Sequence, residues 1–273
     1  MSIIRTLPLP VLVAPMAGGP STPALVDAAS AVGSLGFLAG GYLSAAQLDG
    51  QMRDVRGTVY GVNLFYPQPT ALPSELDAVR AYVERLAPSL ERYEIAPSDL
   101  IKQLDSVDPT DAFSAKLDAI CAARIGGYGP TVVSCTFGVW NDSEVTRLHD
   151  HGIEVWATVA DTSAALLAAS VGVDAIVVQG PGAGGHRATQ TVGENPSGIP
   201  LEILSLEISA AVDLPLIVAG GLGTSAEIAA ALRWPGVCAA SCGSAFLLAD
   251  EAGTSQAHRD ISSDVRGGTS TRL

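Results

Sequence analysis

The sequence predicts a (β/α)8 (TIM) barrel, and three observations carry that prediction. Eight short, β-rich apolar runs alternate with longer Ala- and Leu-rich segments of helical period. The alternation fills most of the 273 residues, and eight βα steps in about 250 residues is the size of such a barrel. The runs are apolar almost throughout, as expected of parallel strands covered on both faces. A doubly wound open sheet is the alternative, but it rarely needs eight strands in so regular an alternation.

The strands are expected at 11–15, 35–41, 60–65, 131–137, 154–159, 175–180, 215–221 and 238–243. Between them, Thr22-Pro23 opens a helix over 24–32, a cap residue followed by proline in the first turn. Ser44 caps 45–55. A long charged amphipathic helix is expected over 75–93 and another over 111–124. Asp142 or Ser143 starts 143–151, and Thr162 starts 163–171, which Gly172 ends. Helices over 201–212 and 225–233 complete the set. Residues 66–112 hold six of the 17 prolines and read as an irregular excursion after the third strand, not as an inter-domain linker. One domain is therefore expected over 1–258, followed by a polar tail over 259–273.

Composition bounds the function. With 15 basic and 28 acidic residues the net charge is −13, so nucleic acid is not an expected partner, since phosphate neutralisation needs clustered Lys and Arg. Small anions remain open, because backbone N–H groups can hold phosphate. The cysteines, Cys121, Cys135, Cys238 and Cys242, form no CxxC pair and have no ligand spacing with histidine. Reduced buried thiols and no metal are expected. The uncharged stretch Ala28 to Leu48 contains several Gly and Ser and reads as helix end, turn and strand, not as a membrane span. The start carries one Arg and a short apolar run broken by three prolines, unlike a signal peptide. A cytoplasmic protein is expected.

In a barrel the chemistry lies at the C-terminal strand ends. There the chain places Pro15-Met16-Ala17-Gly18-Gly19, Gly40-Gly41, Asn63, the run QGPGAGGHR (179–187), Gly220-Gly221 and Gly243-Ser244. Glycine at one end of a barrel lets a flat ligand approach the backbone and turns N–H groups toward phosphate. The seventh and eighth strands usually supply the phosphate site, so Gly220, Gly221, Gly243 and a helix starting near Ser244 are placed for it. His186 is the histidine at a strand end, with an ordinary pKa suited to proton transfer. His149 and His151 read as cations near a helix C-terminus. No GxSxG, GxxxxGK[ST] or HExxH motif occurs, paired carboxylates are missing at strand ends, and the two lysines, Lys102 and Lys116, lie elsewhere. With no nucleophile, metal cluster or acid pair, the hard chemistry is expected of a cofactor.

Five stretches, VLVAPMAGG (11–19), YGVNLF (60–65), VVQGPGAGGHRAT (177–189), PLIVAGGLGTSAEIAAAL (215–232) and CGSAFLLADEAGTS (242–255), resemble the nitronate monooxygenase (2-nitropropane dioxygenase) family in order along nearly the whole chain. The AGGH motif after a VQG strand is the specific part. The resemblance implies an FMN-dependent barrel that oxidises alkyl nitronates to carbonyl compounds and nitrite with O2. It implies that Ala14, Pro15 and Met16 lie against the flavin and that Asn63 and Gln179 hydrogen-bond its isoalloxazine edge. Gly184, Gly221, Gly243 and Ser244 would hold the phosphate, with Gly185, Gly220 and Ser241 beside them in the cofactor site. His186 would orient or deprotonate substrate. The family usually carries Glu where this chain has Gly182 and Gln where it has Ser241. It also commonly continues for tens of residues beyond the DEAGTS run, so the C-terminal end reads as shortened. A missing eighth helix would leave the first and eighth strands exposing apolar surface, which favours self-association. An NAD(P)H-dependent reductase of quinones or enoyl thioesters, and an FMN-binding remnant of little activity, are the other readings.

Overall fold

A computed structural model describes residues 2–104, 107–191 and 193–263. Eight parallel strands follow in chain order: β1 (Val11–Val13), β2 (Phe37–Ala39), β3 (Gly61–Phe65), β4 (Val132–Thr136), β5 (Glu154–Val159), β6 (Ala175–Gln179), β7 (Leu216–Ala219) and β8 (Val237–Cys242). Each falls inside or within one residue of an expected run. Neighbours in sequence are neighbours in the sheet, and β1 pairs with β8. The remaining gap, between β1 and β2, is bridged by Val13 opposite Gly36, where Val13 N–H donates to Leu35 O at 3.0 Å. The sheet is thus a barrel, as expected.

Alternation along the strands sorts side chains to two faces. Outward residues such as Leu38, Val62, Leu64, Val133, Val155, Ile176 and Val218 meet the surrounding helices in one large buried cluster. Inward residues Leu12, Phe37, Val132, Trp156, Ala175, Ile217 and Ala239 fill the lower barrel. A 3-10 turn, Ile3–Arg5, plugs the bottom with Ile4, and Glu154 ties it down by accepting from Ile3 N–H at 2.6 Å and Ser2 Oγ at 2.8 Å. Each large apolar side chain fully buried in this way contributes roughly 1.5–3 kcal/mol.

The helices are α1 (Pro23–Ala31), α2 (Ala45–Asp54), α3 (Pro73–Arg85), α4 (Ala87–Glu91), α5 (Pro97–Leu104), α6 (Phe113–Ile125), α7 (Asp142–Asp150), α8 (Thr162–Ser170), α9 (Leu201–Ala211), α10 (Ser225–Ala231) and α11 (Gln256–Ser263). The expected helix over 75–93 is two, α3 and α4. Pro88 would clash with the carbonyl of Glu84 in a continuous helix, so the chain breaks at Leu86. Asn141, not Asp142 or Ser143, caps α7, accepting from Glu144 N–H at 3.0 Å. Asp161, not Thr162, caps α8, accepting from Ala164 N–H at 2.8 Å. The excursion holds α3, α4 and α5, whose only buried side chain is Val83.

The C-terminal end departs from expectation. No α-helix starts at Ser244; a 3-10 turn, Ser244–Phe246, stands there. The segment after it nevertheless covers β1, because Phe246, Ala249 and Ala252 pack with Val13, Leu25 and Ala29. Outward residues Val13, Ala240 and Cys242 are buried, so the expected exposed apolar face on β1 and β8 is not found. Thr22 Oγ1 donates to Glu251 O at 2.6 Å, and Gly253 N–H to Pro20 O at 3.1 Å. Arg259 on α11 clamps this segment by donating to Ala249 O at 2.7 Å, Ala252 O at 2.6 Å and Thr254 O at 3.1 Å. The helix α11 runs across position 258; of the tail expected over 259–273, residues 264–273 lie outside the described ones. Among the described residues no helix is long and apolar enough to cross a membrane.

Candidate active site

Above the apolar plug the inward face turns polar. Asn63 on β3 is buried, and its Nδ2 donates to Ser134 Oγ at 2.9 Å and Thr136 Oγ1 at 3.1 Å on β4. Its Oδ1 has only a long 3.5 Å contact from Thr136 Oγ1, which leaves a weakly satisfied acceptor on a buried side chain. Strand pairing places Ser241 of β8 beside Leu12 of β1 and Ala219 of β7, and Ser241 is buried. Ser134 and Thr136 were missed in the sequence reading. The period-2 alternation already marks them as inward, two steps and four steps beyond Val132.

The loop after β6 carries the QGPGAGGHR run. Both ends of the Gln179 amide engage its own loop, with one acceptor site and one N–H left over for a ligand. Its Oε1 accepts from Ala188 N–H at 2.7 Å, and its Nε2 donates to His186 O at 3.3 Å. The main chain of His186 is therefore fixed while its imidazole is exposed and lies edge-on to Phe137, with centroids 6.1 Å apart. Arg187 donates from Nη2 to Ser197 O at 2.9 Å, and its buried Nε has no partner. Desolvation lowers its pKa, and no carboxylate pairs with it among the described residues.

The glycines divide into two kinds. Gly220 (φ +109°), Gly221 (φ +78°) and Gly185 (φ +76°) adopt left-handed backbone, which a side chain strains. A Cβ on Gly182 would stand 3.1 Å from Gly221 Cα. The β6 and β7 loops thus touch backbone to backbone, and a side chain at 182 would require them to move apart by a few tenths of an ångström. Gly41 serves packing instead, since a Cβ there would stand 2.3 Å from the Phe65 ring. Gly243 lies beside Ala14 and Met16, which brings the β1 and β8 ends together. Pro15 lies between them on the loop leaving β1, and Gly184 and Ser244 are exposed.

Among the described residues, the N–H groups of Gly184, Gly185, Gly220, Gly221, Gly243 and Ser244 have no acceptor in the chain. Successive free N–H groups at turns of this kind form an anion-binding concavity. The expected help from a helix at Ser244 is absent, because three residues of 3-10 turn carry little dipole. The α10 N-terminus is already occupied: Glu227 accepts from Gly223 N–H at 3.0 Å, Thr224 N–H at 2.9 Å and Thr224 Oγ1 at 2.8 Å. These bonds, the Thr224 hydroxyl first, hold the Glu227 carboxyl below its ordinary range. Among the described residues no cluster of three His, Cys, Asp or Glu side chains is placed to hold a metal.

Comparison with known proteins gives a consistent result. The nitronate monooxygenase family model matches residues 3–264. A probable nitronate monooxygenase from Bacillus subtilis is 30% identical over 258 residues, covering 93% of this chain and 70% of that protein. A nitronate monooxygenase from Paraburkholderia phytofirmans is 30% identical over 254 residues, covering 92% of this chain and 66% of the relative. The crystal structure of nitroalkane oxidase from Streptomyces ansochromogenes superposes with a TM-score of 0.85 at 34% identity, over 97% of this chain and 74% of that one. FabK from Thermotoga maritima shares the fold, with a TM-score of 0.65 at 21% identity over 94% of this chain and 65% of that one. On the family match, the eight-stranded barrel and the glycine-lined mouth, this chain belongs to the nitronate monooxygenase family of flavin-dependent oxidoreductases.

Proposed function

We propose that this protein binds FMN at the mouth of the barrel and oxidises alkyl nitronates to carbonyl compounds and nitrite with O2. The observation that carries the reading is the set of six free backbone N–H groups at the ends of β6, β7 and β8 beside an exposed His186. The residues present fit the group. Gly184, Gly185, Gly220, Gly221, Gly243 and Ser244 would hold its phosphate without a basic side chain. Ala14, Pro15 and Met16 would lie against the ring, with the Asn63 Oδ1 acceptor below its edge. Ser241 lines the same wall. Gln179 contributes by fixing the loop that carries His186. FMN, when bound, supplies the electron-transfer chemistry that no side chain here can perform. His186 would orient the nitronate or take the carbon proton of a neutral nitroalkane.

The absorption spectrum of purified protein, with identification of the flavin released on denaturation, tests the cofactor. FMN is expected, and FAD as the main flavin would overturn the phosphate placement. Anaerobic addition of propionate 3-nitronate and then NADH tests the reaction. Bleaching by the nitronate alone supports the proposal; bleaching by NADH alone makes the protein a reductase. A colourless protein that takes up no FMN removes the reading altogether.

A further inference from the structure

Five described residues other than glycine have left-handed backbone, and four of them gather around one patch: Tyr42 (φ +65°), Asp111 (φ +50°), Ala112 (φ +52°) and Phe137 (φ +72°). Bulky side chains rarely adopt this region, and such strain collects at functional sites. Three of the rings nearby form an arc across the barrel mouth. Tyr42 lies edge-on to Phe65 with centroids 5.2 Å apart, and Phe65 packs on Phe137 at 4.8 Å. Phe137 in turn meets the edge of His186. Tyr42 is 68% exposed, and Phe65 and Phe137 are half-buried.

The arc is braced from outside the barrel. Lys116 on α6 has a side chain only 1% exposed, and its Nζ pairs with Asp111 Oδ2 at 2.6 Å. The other oxygen of Asp111 accepts from Tyr42 N–H at 3.1 Å. Asp108 fixes the turn that presents Asp111 by accepting from Thr110 N–H at 2.9 Å and Ala112 N–H at 2.9 Å. On the far side, Gln68 Nε2 donates to Phe137 O. A buried ion pair is seldom needed for stability, since apolar residues of similar size serve as well or better. What this pair does that an apolar pair would not is supply a fixed acceptor for the strained Tyr42 main chain.

We propose that Tyr42, Phe65 and Phe137 form the specificity wall against which the alkyl chain of the substrate lies, and that Asp111 and Lys116 are positioning residues holding Tyr42 in it. This rests on the nitronate reading for the identity of the substrate. A nitronate has an anionic head and an apolar tail. The arc offers apolar surface that begins at His186 and runs away from it toward solvent, so a chain of several carbons is expected to gain from each added methylene.

The test uses the FMN-loaded protein and primary nitronates from ethyl to hexyl. Values of kcat/KM should rise about three- to fourfold per methylene until the arc is covered. Tyr42→Ala and Phe65→Ala should flatten that rise while kcat on the shortest substrate changes less than KM on the longest. Asp111→Ala should act like Tyr42→Ala, whereas the double variant Asp111→Asn with Lys116→Met keeps an acceptor for Tyr42 and should retain the rise. A second readout is the binding of straight-chain alkyl carboxylates, redox-inert anions of the same shape, followed by their effect on the flavin spectrum. The same gain per methylene, lost in Tyr42→Ala, is expected there. If no nitronate is turned over but carboxylates still show that gain, the functional reading fails and the wall stands. If the slopes of wild type and Tyr42→Ala coincide, the wall is overturned. If the variants instead weaken FMN binding and leave the slope intact, the arc belongs to the flavin and the proposal is overturned. If Asp111→Ala and the double variant behave alike, the positioning role is overturned.

Discussion

His186 combines a fixed main chain with a free imidazole. Gln179 binds its carbonyl and the next-but-one N–H, and the exposed ring lies against the Phe137 edge. A proton-transfer group needs that freedom at the tip and that constraint at the root. His186→Ala is therefore expected to retain FMN while losing about 10²–10⁴-fold in turnover of neutral nitroalkanes, whose carbon proton must be removed. Activity on preformed nitronates should fall less. Steady-state kinetics on both substrate forms, with FMN occupancy read from the spectrum, checks this. Loss of FMN with unchanged residual kinetics would make His186 a cofactor ligand instead.

At the scale of elements, two loops carry specific packing devices. Gly41, in the turn after β2, lies under the Phe65 ring, and an added Cβ would stand 2.3 Å from it. Gly41→Ala should cost about 1–3 kcal/mol, as overpacking typically does, and displace Phe65 from the mouth. A melting temperature lower by several degrees checks the first part, and altered dependence of kcat/KM on chain length the second. Glu227 closes the α10 N-terminus on itself, and its pKa is depressed by the Thr224 hydroxyl and two backbone N–H groups. A depressed carboxylate stabilises the fold above its unfolded pKa, and the contribution is lost as pH falls through the folded value. The melting temperature of Glu227→Gln should therefore be lower than wild type at neutral pH. The two curves should begin to approach one another as pH falls through the ordinary Glu range of about 4.3 and should meet only below the depressed folded value. Parallel curves down to pH 3 would show that the carboxylate charge is irrelevant to the cap.

For the whole molecule, the lower barrel is closed by an apolar plug while the upper mouth is built of loops rich in left-handed glycine. The mouth therefore carries less packing and more unpaired backbone than the base, and a ligand there should stabilise the fold by mass action. At about 100 times its dissociation constant, FMN is expected to add about 2.7 kcal/mol, a rise in melting temperature of about 5–10 °C for a chain this size. Differential scanning fluorimetry of apoprotein with FMN, riboflavin and FAD measures it. Riboflavin matching FMN would show that the phosphate cradle contributes nothing. The segment over 244–254 packs on Val13, and Cys242 is buried as well. Light scattering at rising concentration should therefore show no association driven by an exposed β1–β8 face.

The barrel was legible in the sequence because strand and helix periods are local. Runs such as VLV, GVNLF and AIVVQ differ from the segments between them in length and in β-branched content, and eight repeats admit few topologies. The glycine-lined mouth was legible for the same reason, since glycines directly after strands fall at one end of any parallel barrel. Pro88 stands in the sequence at the point where α3 and α4 separate, inside the charge pattern that predicts one helix over 75–93. What the tertiary structure decided depends on residues far apart in the chain. Gln179 turns to its own loop because Ala188 N–H comes within reach only once that loop folds back. Gly41 is required by Phe65, more than twenty positions away. The segment after β8 can replace a helix because the β1 loop offers it hydrogen bonds. Lys116 falls away from every strand end in the sequence, and only the packing of α6 against the barrel buries it beside Asp111. Periodicity reports which face a residue takes; the partner it meets there is fixed by long-range contacts that no local pattern encodes.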